Sequence, residues 1–376
     1  MIPLSIPNLG PSEQELVNQA LAAGWVSTAG PEVTAFEEAL ASYCGVPFAI
    51  ATNSGTSALH LALKVSGVGK GELVIAPNLT FVASINPIYY LGAEAILCDI
   101  KKDTWQIDLD LVEEFLEEQT ESRENGRVHK ASGKRIGALL AVHVLGYPCD
   151  IERLLSLGQR YDIPVVEDAA EGMGSFLGER HLGSFAPVSA LSFNGNKVMT
   201  TGGGGAVVTR DPAIAEHAKT LANQAKRHYQ EYLHDEIGFN YKMTNLAAAL
   251  GLAQLQRLDD FIARKTEIWE FYQNALKGLD LGFITYLENA RPNHWLVTLQ
   301  SPAARMLEEV LQVQQIQTRK LWIPMDRLPP FGDCIYLSRE DHCHEVYEHS
   351  LSIPCSTGIS NEELDTVASA IRNFFS

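Results

Sequence analysis

The sequence is short of positive charge. Its 376 residues carry 29 Lys and Arg against 46 Asp and Glu, a formal net charge of −17. A protein that binds nucleic acid by broad phosphate neutralisation needs clustered cations, so that function class is argued against. Docking on anionic membranes is disfavoured for the same reason. Small anionic ligands, which a few local groups can hold, stay open. Cysteine is sparse: Cys44, Cys98, Cys149, Cys334, Cys343 and Cys355 are scattered and form no C-x-x-C. They read as reduced core thiols. Long hydrophobic runs are missing as well. The longest uncharged stretch lies between Glu72 and Glu94, and Pro77, Asn78, Asn86 and Pro87 interrupt it. A buried strand, a turn and a helix fit it better than a membrane span. Met1-Ile-Pro-Leu-Ser-Ile-Pro7 shows no basic region followed by an apolar one, so the expected location is cytoplasmic. The chain has no G-x-x-x-x-G-K-[ST], and no G-x-G-x-x-G opens a helix after the first strand. These absences argue against a phosphate-loop enzyme and a nicotinamide-binding Rossmann domain.

What is present is an ordinary globular composition, 46% apolar and 20% charged. The length suggests about two domains with a large core. From about residue 48 to 210, short apolar runs alternate with helical patterns. Strands are expected at Phe48–Thr52, Leu73–Ala76, Ala95–Asp99, Ala138–Val144, Pro164–Glu167, Ser189–Phe193 and Ala206–Thr209. Helices are expected near 55–66, 108–118 and 151–161. Such alternation predicts an α/β fold with a mostly parallel sheet covered on both faces. The polar stretch Gln119–Arg135 reads as an exposed loop or hairpin. After Thr244 or Asn245, either of which can cap a helix, apolar residues recur near the 3.6 period to Leu276. The rest offers a strand at Trp295–Leu299, helices near 302–314 and 361–375, and a Pro-rich loop at Trp322–Phe331. The expected division is a large domain over 1–260 and a smaller C-terminal α/β domain over 261–376.

Three motifs carry chemistry. Ser192-Phe-Asn-Gly-Asn-Lys197 leaves a strand and runs on to Gly202-Gly-Gly-Gly205. Four glycines are costly in chain entropy, so they should serve close backbone approach or unusual dihedrals. A lysine amine on such a turn can form Schiff bases with carbonyls and with pyridoxal phosphate; taken alone, it reads as a surface lysine beside a flexible loop. Val165-Val-Glu-Asp168-Ala-Ala-Glu171 places an acid at the C-terminal end of a buried parallel strand, where open α/β sheets bind ligands. Asp168 could supply the carboxylate that a pyridoxal ring needs at its pyridinium nitrogen, or simply cap a helix. Asn53-Ser-Gly55-Thr56-Ser57 opens an amphipathic helix with small residues, hydroxyls and free backbone N–H groups. It suits a phosphate, although plain N-capping explains it as cheaply. His143 could line the same cleft or be a satisfied core histidine. Asp341-His-Cys-His-Glu-Val-Tyr-Glu-His349 has no metal-site spacing, and no metal is expected.

Together and in this order, the motifs resemble the DegT/DnrJ/EryC1/StrS family of sugar aminotransferases, which depend on pyridoxal 5'-phosphate and have fold type I (aspartate aminotransferase-like). Further markers are Gly24-Trp-Val-Ser-Thr28, Thr80-Phe81, Val142-His-Val-Leu-Gly146 and Gly238-Phe-Asn240-Tyr-Lys-Met-Thr-Asn245. The resemblance implies that Lys197 bonds the cofactor and Asp168 pairs with its ring nitrogen. Phe81 would stack on the ring, and Gly55, Thr56 and Ser192 would hold the phosphate. Glu171 would lie near the phenolic oxygen. Asn240 would reach the phosphate from the partner subunit of a homodimer. Asn194 departs from the family's usual His, four glycines stand for G-E-G-G, and Lys242 replaces an Arg. Related dehydratases carry His in place of the lysine, so Lys197 argues for transamination.

The string F-N-G-N-K-x-x-T-T-G-G-G-G and Asn293-His-Trp-Leu296 resemble the branch acting on nucleotide-linked 4-keto-6-deoxy-2-acetamido sugars. That branch serves surface polysaccharides, including O-antigen, bacillosamine and legionaminic acid. The implied donor is glutamate. Arg319, basic and just before the loop Trp322–Phe331, is a candidate for the substrate's phosphates. Two other readings stand beside this one. One is a non-catalytic regulatory protein binding cofactor or sugar nucleotide on the same scaffold. The other is a dehydrogenase, which fits the strand–helix alternation alone.

Overall fold

The computed structural model of the chain describes residues 1–228 and 232–376. The apolar runs pair into an eight-stranded sheet. In chain order its strands are β1 (Phe48–Thr52), β2 (Leu73–Pro77), β3 (Glu94–Cys98), β4 (Ile136–Val142), β5 (Val165–Asp168), β6 (Val188–Ser192), β7 (Gly205–Thr209) and β8 (Ile335–Leu337). Across the sheet the order is β1-β7-β6-β5-β4-β2-β3-β8. Only β7 runs against its neighbours β1 and β6; the other pairings are parallel. Alternate side chains feed two apolar clusters, one on each face. In β2, Val74 and Ala76 join the cluster with the helix Gly55–Val65, and Leu73 and Ile75 join the one with the helix Pro31–Cys44. Burial on both faces explains why these strands read as unbroken apolar runs.

The helix ends follow local chemistry. Asp108, Asp150 and Thr244 each accept a backbone N–H of the first turn of the helix they cap. The polar stretch after Gln119 is a hairpin of Thr120–Arg123 with Gly126–His129. The long periodic segment is two helices, Asn245–Gln256 and Leu258–Ala275, joined at Arg257. The C-terminal segment contains a three-stranded antiparallel sheet (Gly282–Phe283, Val297–Gln300, Ser350–Ile353) and the helices Ala304–Val313 and Asn361–Phe375.

One expectation needs correction. The strand expected from Trp295 begins at Val297: His294 adopts a φ of 47°, and the Trp295 N–H is taken by Asn293 Oδ1. The division at 260/261 falls inside the helix Leu258–Ala275, and β8 from the C-terminal segment pairs in parallel with β3. One apolar cluster takes residues from Leu4 to Ile371. The segment 261–376 thus has its own three-stranded sheet and lends one short strand to the edge of the large one. A three-residue edge strand has too little periodicity to be seen in sequence.

Buried histidines give the fold an acid sensitivity. Burial holds His60 and His181 down to about 4, and His294, with Lys265 nearby, down to about 3. His181 Nε2 accepts the Gly174 N–H at 2.8 Å, which a protonated ring cannot do. These rings stay neutral in the fold but take up protons in the unfolded chain below about pH 6.5. Their share of stability is complete above that pH and is lost as pH falls toward their folded values. For His181 alone the loss between pH 7 and pH 5 is about 2 kcal/mol. The melting temperature of His181→Gln should fall less than that of wild type over this interval; equal falls would contradict the assignment.

Candidate active site

The C-terminal ends of β5 and β6 and the start of the helix Gly55–Val65 surround a cavity of about 550 Å³. Asp168 closes β5. It is 4% exposed; its Oδ2 accepts from Ser84 Oγ at 2.8 Å and its Oδ1 from the Ala170 N–H at 3.0 Å. Burial pushes this carboxyl up, against the lowering effect of Ser84, Ala170 and the charge of Lys197. Glu171 follows on the same turn. Its Oε2 accepts the Leu145 N–H at 2.8 Å, and its Oε1 lies 3.0 Å from Lys197 Nζ. Burial also raises Glu171, and Lys197 opposes that rise. The cavity thus holds the Lys197 cation against the Glu171 carboxylate, in a buried setting that makes charge count.

The glycine run explains how Lys197 is placed. From Ser192 the chain turns, the Lys197 N–H donates to Asn194 O at 3.0 Å, and the chain returns antiparallel as β7. This register puts Gly205 between Ser192 and Thr52. A Cβ on Gly205 would lie 2.6 Å from Gly55 N, and one on Gly55 would lie 2.6 Å from Ser192 Cβ. Both positions therefore exclude a side chain. Gly202 supplies a φ of +80°. The close approach sets Ser192 beside the first residues of the helix, where Ser54 Oγ accepts the Ser57 N–H. N-capping does not close the place to a ligand: Gly55, Thr56 and Ser192 all line the cavity, and a helix N-terminus favours negative charge.

Phe81, 49% exposed, lines the mouth opposite Trp322, with ring centroids 6.4 Å apart. Arg319 also lines it and makes no ion pair among the described residues. His143 satisfies both readings made of it. It lines the cavity and is fully buried, its Nε2 donating to Glu167 Oε1 at 2.8 Å and its Nδ1 accepting the Cys149 N–H at 3.2 Å. Asn240 lies outside the cavity of its own chain, where its Oδ1 accepts from Gln224 Nε2 at 3.0 Å. In the segment 341–349, His344 bridges Asp341 and Asp326 at 2.6 and 2.9 Å. Sequence reasoning gave no role to Ser84 or Trp295. Ser84 meets Asp168 only in three dimensions. Trp295 stood in a marker string whose contacts could not be read.

Fold and site together define a pyridoxal-phosphate-dependent sugar aminotransferase of fold type I. The chain belongs to the DegT/DnrJ/EryC1/StrS aminotransferase family, whose profile matches residues 7–372. Among curated relatives, GDP-perosamine synthase of Escherichia coli O157:H7 is 33% identical, over 100% of this chain and 99% of the relative. GDP-perosamine synthase of Caulobacter vibrioides is 32% identical, over 98% and 97%. Among solved structures, S. venezuelae DesV superposes with a TM-score of 0.88 at 28% identity, covering 100% of this chain and 99% of its own.

The residues present fit the cofactor. Gly55 and Gly205 leave a cradle that a Cβ would fill, at a helix N-terminus suited to a phosphate. A buried carboxylate, Asp168, and a lysine amine face the same cavity. The exposed ring of Phe81 stands at its edge, free to cover a planar group.

Proposed function

We propose that the chain transfers the amino group of glutamate to C4 of a nucleotide-linked 4-keto-6-deoxy sugar for surface glycan synthesis. The observation that carries this reading is the convergence of Lys197, Asp168 and Glu171 with the Gly55–Ser192 cradle in one cavity. When bound, pyridoxal phosphate supplies an electrophilic carbon and an electron-withdrawing ring. Lys197 Nζ holds the cofactor and, once free, carries a proton to or from the reacting carbon. Asp168 keeps negative charge at the ring nitrogen. Gly55, Thr56 and Ser192 orient the phosphate, and Phe81 covers one ring face. Glu171 lies by the phenolic oxygen and holds the free Lys197. Asn240 of the partner subunit completes the phosphate site in a homodimer; its position outside the cavity of its own chain supports this.

Arg319 and Trp322 at the mouth suit the anionic, aromatic nucleotide end of the substrate. The marker string around Lys197 favours a 2-acetamido sugar. The names of the GDP-perosamine synthases favour a GDP-linked sugar as a second reading. A panel of UDP-, GDP- and dTDP-linked 4-keto sugars, with and without the 2-acetamido group, separates the two by mass spectrometry of the amino product. Turnover confined to the 2-acetamido members supports the first; turnover of the GDP-linked sugar without it supports the second. A regulatory protein on the same scaffold would need the cradle but not the lysine paired with Glu171.

A further inference from the structure

We propose that Trp295 is a positioning residue that seats the free ammonium of Lys197, with its indole face on one side and the Glu171 carboxylate on the other. Lys197 Nζ lies 3.9 Å from the Trp295 ring centroid and 3.0 Å from Glu171 Oε1. A cation over an indole face is attracted by the ring quadrupole, most strongly where water is excluded. Here Trp295 is 3% exposed and the lysine side chain 12%.

Several contacts fix the ring in that place. Trp295 Nε1 donates to the carbonyl of Asn196, the residue before the lysine, at 2.6 Å. The indole therefore grips the turn that carries its cation. The Trp295 N–H donates to Asn293 Oδ1 at 2.9 Å. Asn293, fully buried, donates in turn to the carbonyls of Glu171 and Met173 at 2.7 and 2.9 Å. The two walls of the seat are thus tied to each other. From behind, the buried Lys265 ammonium donates to the carbonyls of Trp295 and Cys355, each at 2.7 Å. A lone core aromatic needs none of these bonds; together they set the ring's angle and depth against Lys197.

The seat has a use because Lys197 must leave the cofactor during each transfer and come back to it. A long, flexible lysine left in water would lose its orientation, at a cost in rotamer entropy for every return. This role rests on the assignment of Lys197 as the cofactor lysine. The test keeps the two separable by working on cofactor-free protein. Reductive methylation with formaldehyde and cyanoborohydride, followed by peptide mass spectrometry, gives the labelling rate of each lysine at fixed pH. In Trp295→Leu, Lys197 should label about fivefold faster than in wild type, and in Trp295→Phe, which keeps a ring face, within about twofold. Lys265 should keep its wild-type rate in both. Trp295→Met, closer in bulk, carries the same comparison should the Leu variant not fold. The proposal is overturned if Lys197 labels at the wild-type rate without the aromatic ring. It is equally overturned if Phe and Leu accelerate it alike, or if Lys265 accelerates in step. Borohydride trapping of pyridoxal phosphate on wild-type Lys197 separately tests the underlying assignment.

Discussion

Lys197→Ala is expected to lower amino transfer by about a thousand-fold or more and to leave the fold intact. A positioned group that moves a proton contributes on the order of 10² to 10⁴ in rate, and Lys197 also holds the cofactor. Its side chain faces the cavity rather than the core, so little packing is lost. The carboxyl of Glu171, already raised by burial, would lose the opposing charge and take up a proton instead of remaining as an unpaired anion. Lys197→Arg sharpens the comparison. It keeps a cation beside Glu171 but cannot give up its proton, so it should be as inactive as Ala while melting like wild type. Single-turnover assays and thermal melts check both variants. Activity in either near the wild-type level would remove Lys197 from the chemistry.

Asp168→Asn should reduce turnover by on the order of a hundred- to a thousand-fold, the scale of losing one preorganised electrostatic group. The amide can still meet Ser84 and the Ala170 N–H, so the shape of the site survives. What goes is the negative charge. Burial already raises the Asp168 carboxyl, which means that the free protein bears a cost for that charge. The variant should therefore melt no lower than wild type and still bind cofactor through the Gly55–Ser192 cradle. Slow turnover with unimpaired stability marks a charge kept for chemistry. A large drop in melting temperature would instead make Asp168 a structural residue.

The legible part of the molecule was the part built from local pattern. Strands buried on both faces show as apolar runs, and capped helices as a polar residue before a periodic stretch; β5 and the Thr244 cap are examples. The glycine run pointed to close backbone approach, and Gly205 against Gly55 provides it. Asp168 ends a strand that could be seen, and Glu171 and Lys197 follow within a few residues of such strands, so all three could be singled out as candidates. What stayed hidden depends on contacts between distant residues. Ser84 lies 84 positions from Asp168, and Trp295 meets Lys197 only because Asn293 and Lys265 fold its turn inward. The strand β8 has three residues and gains its identity from pairing with β3. Asn240 faces away from the cavity of its own chain, so its proposed role needs a second copy.

The most direct test is a half-reaction on protein loaded with pyridoxal phosphate. Mixed with glutamate and no sugar, wild-type protein should release one 2-oxoglutarate per chain and then stop. Addition of a nucleotide-linked 4-keto sugar should discharge the stored amino group as the 4-amino sugar. Lys197→Ala should do neither. Wild-type protein that binds the cofactor yet yields no 2-oxoglutarate would contradict the assignment and leave a binding protein on an aminotransferase scaffold.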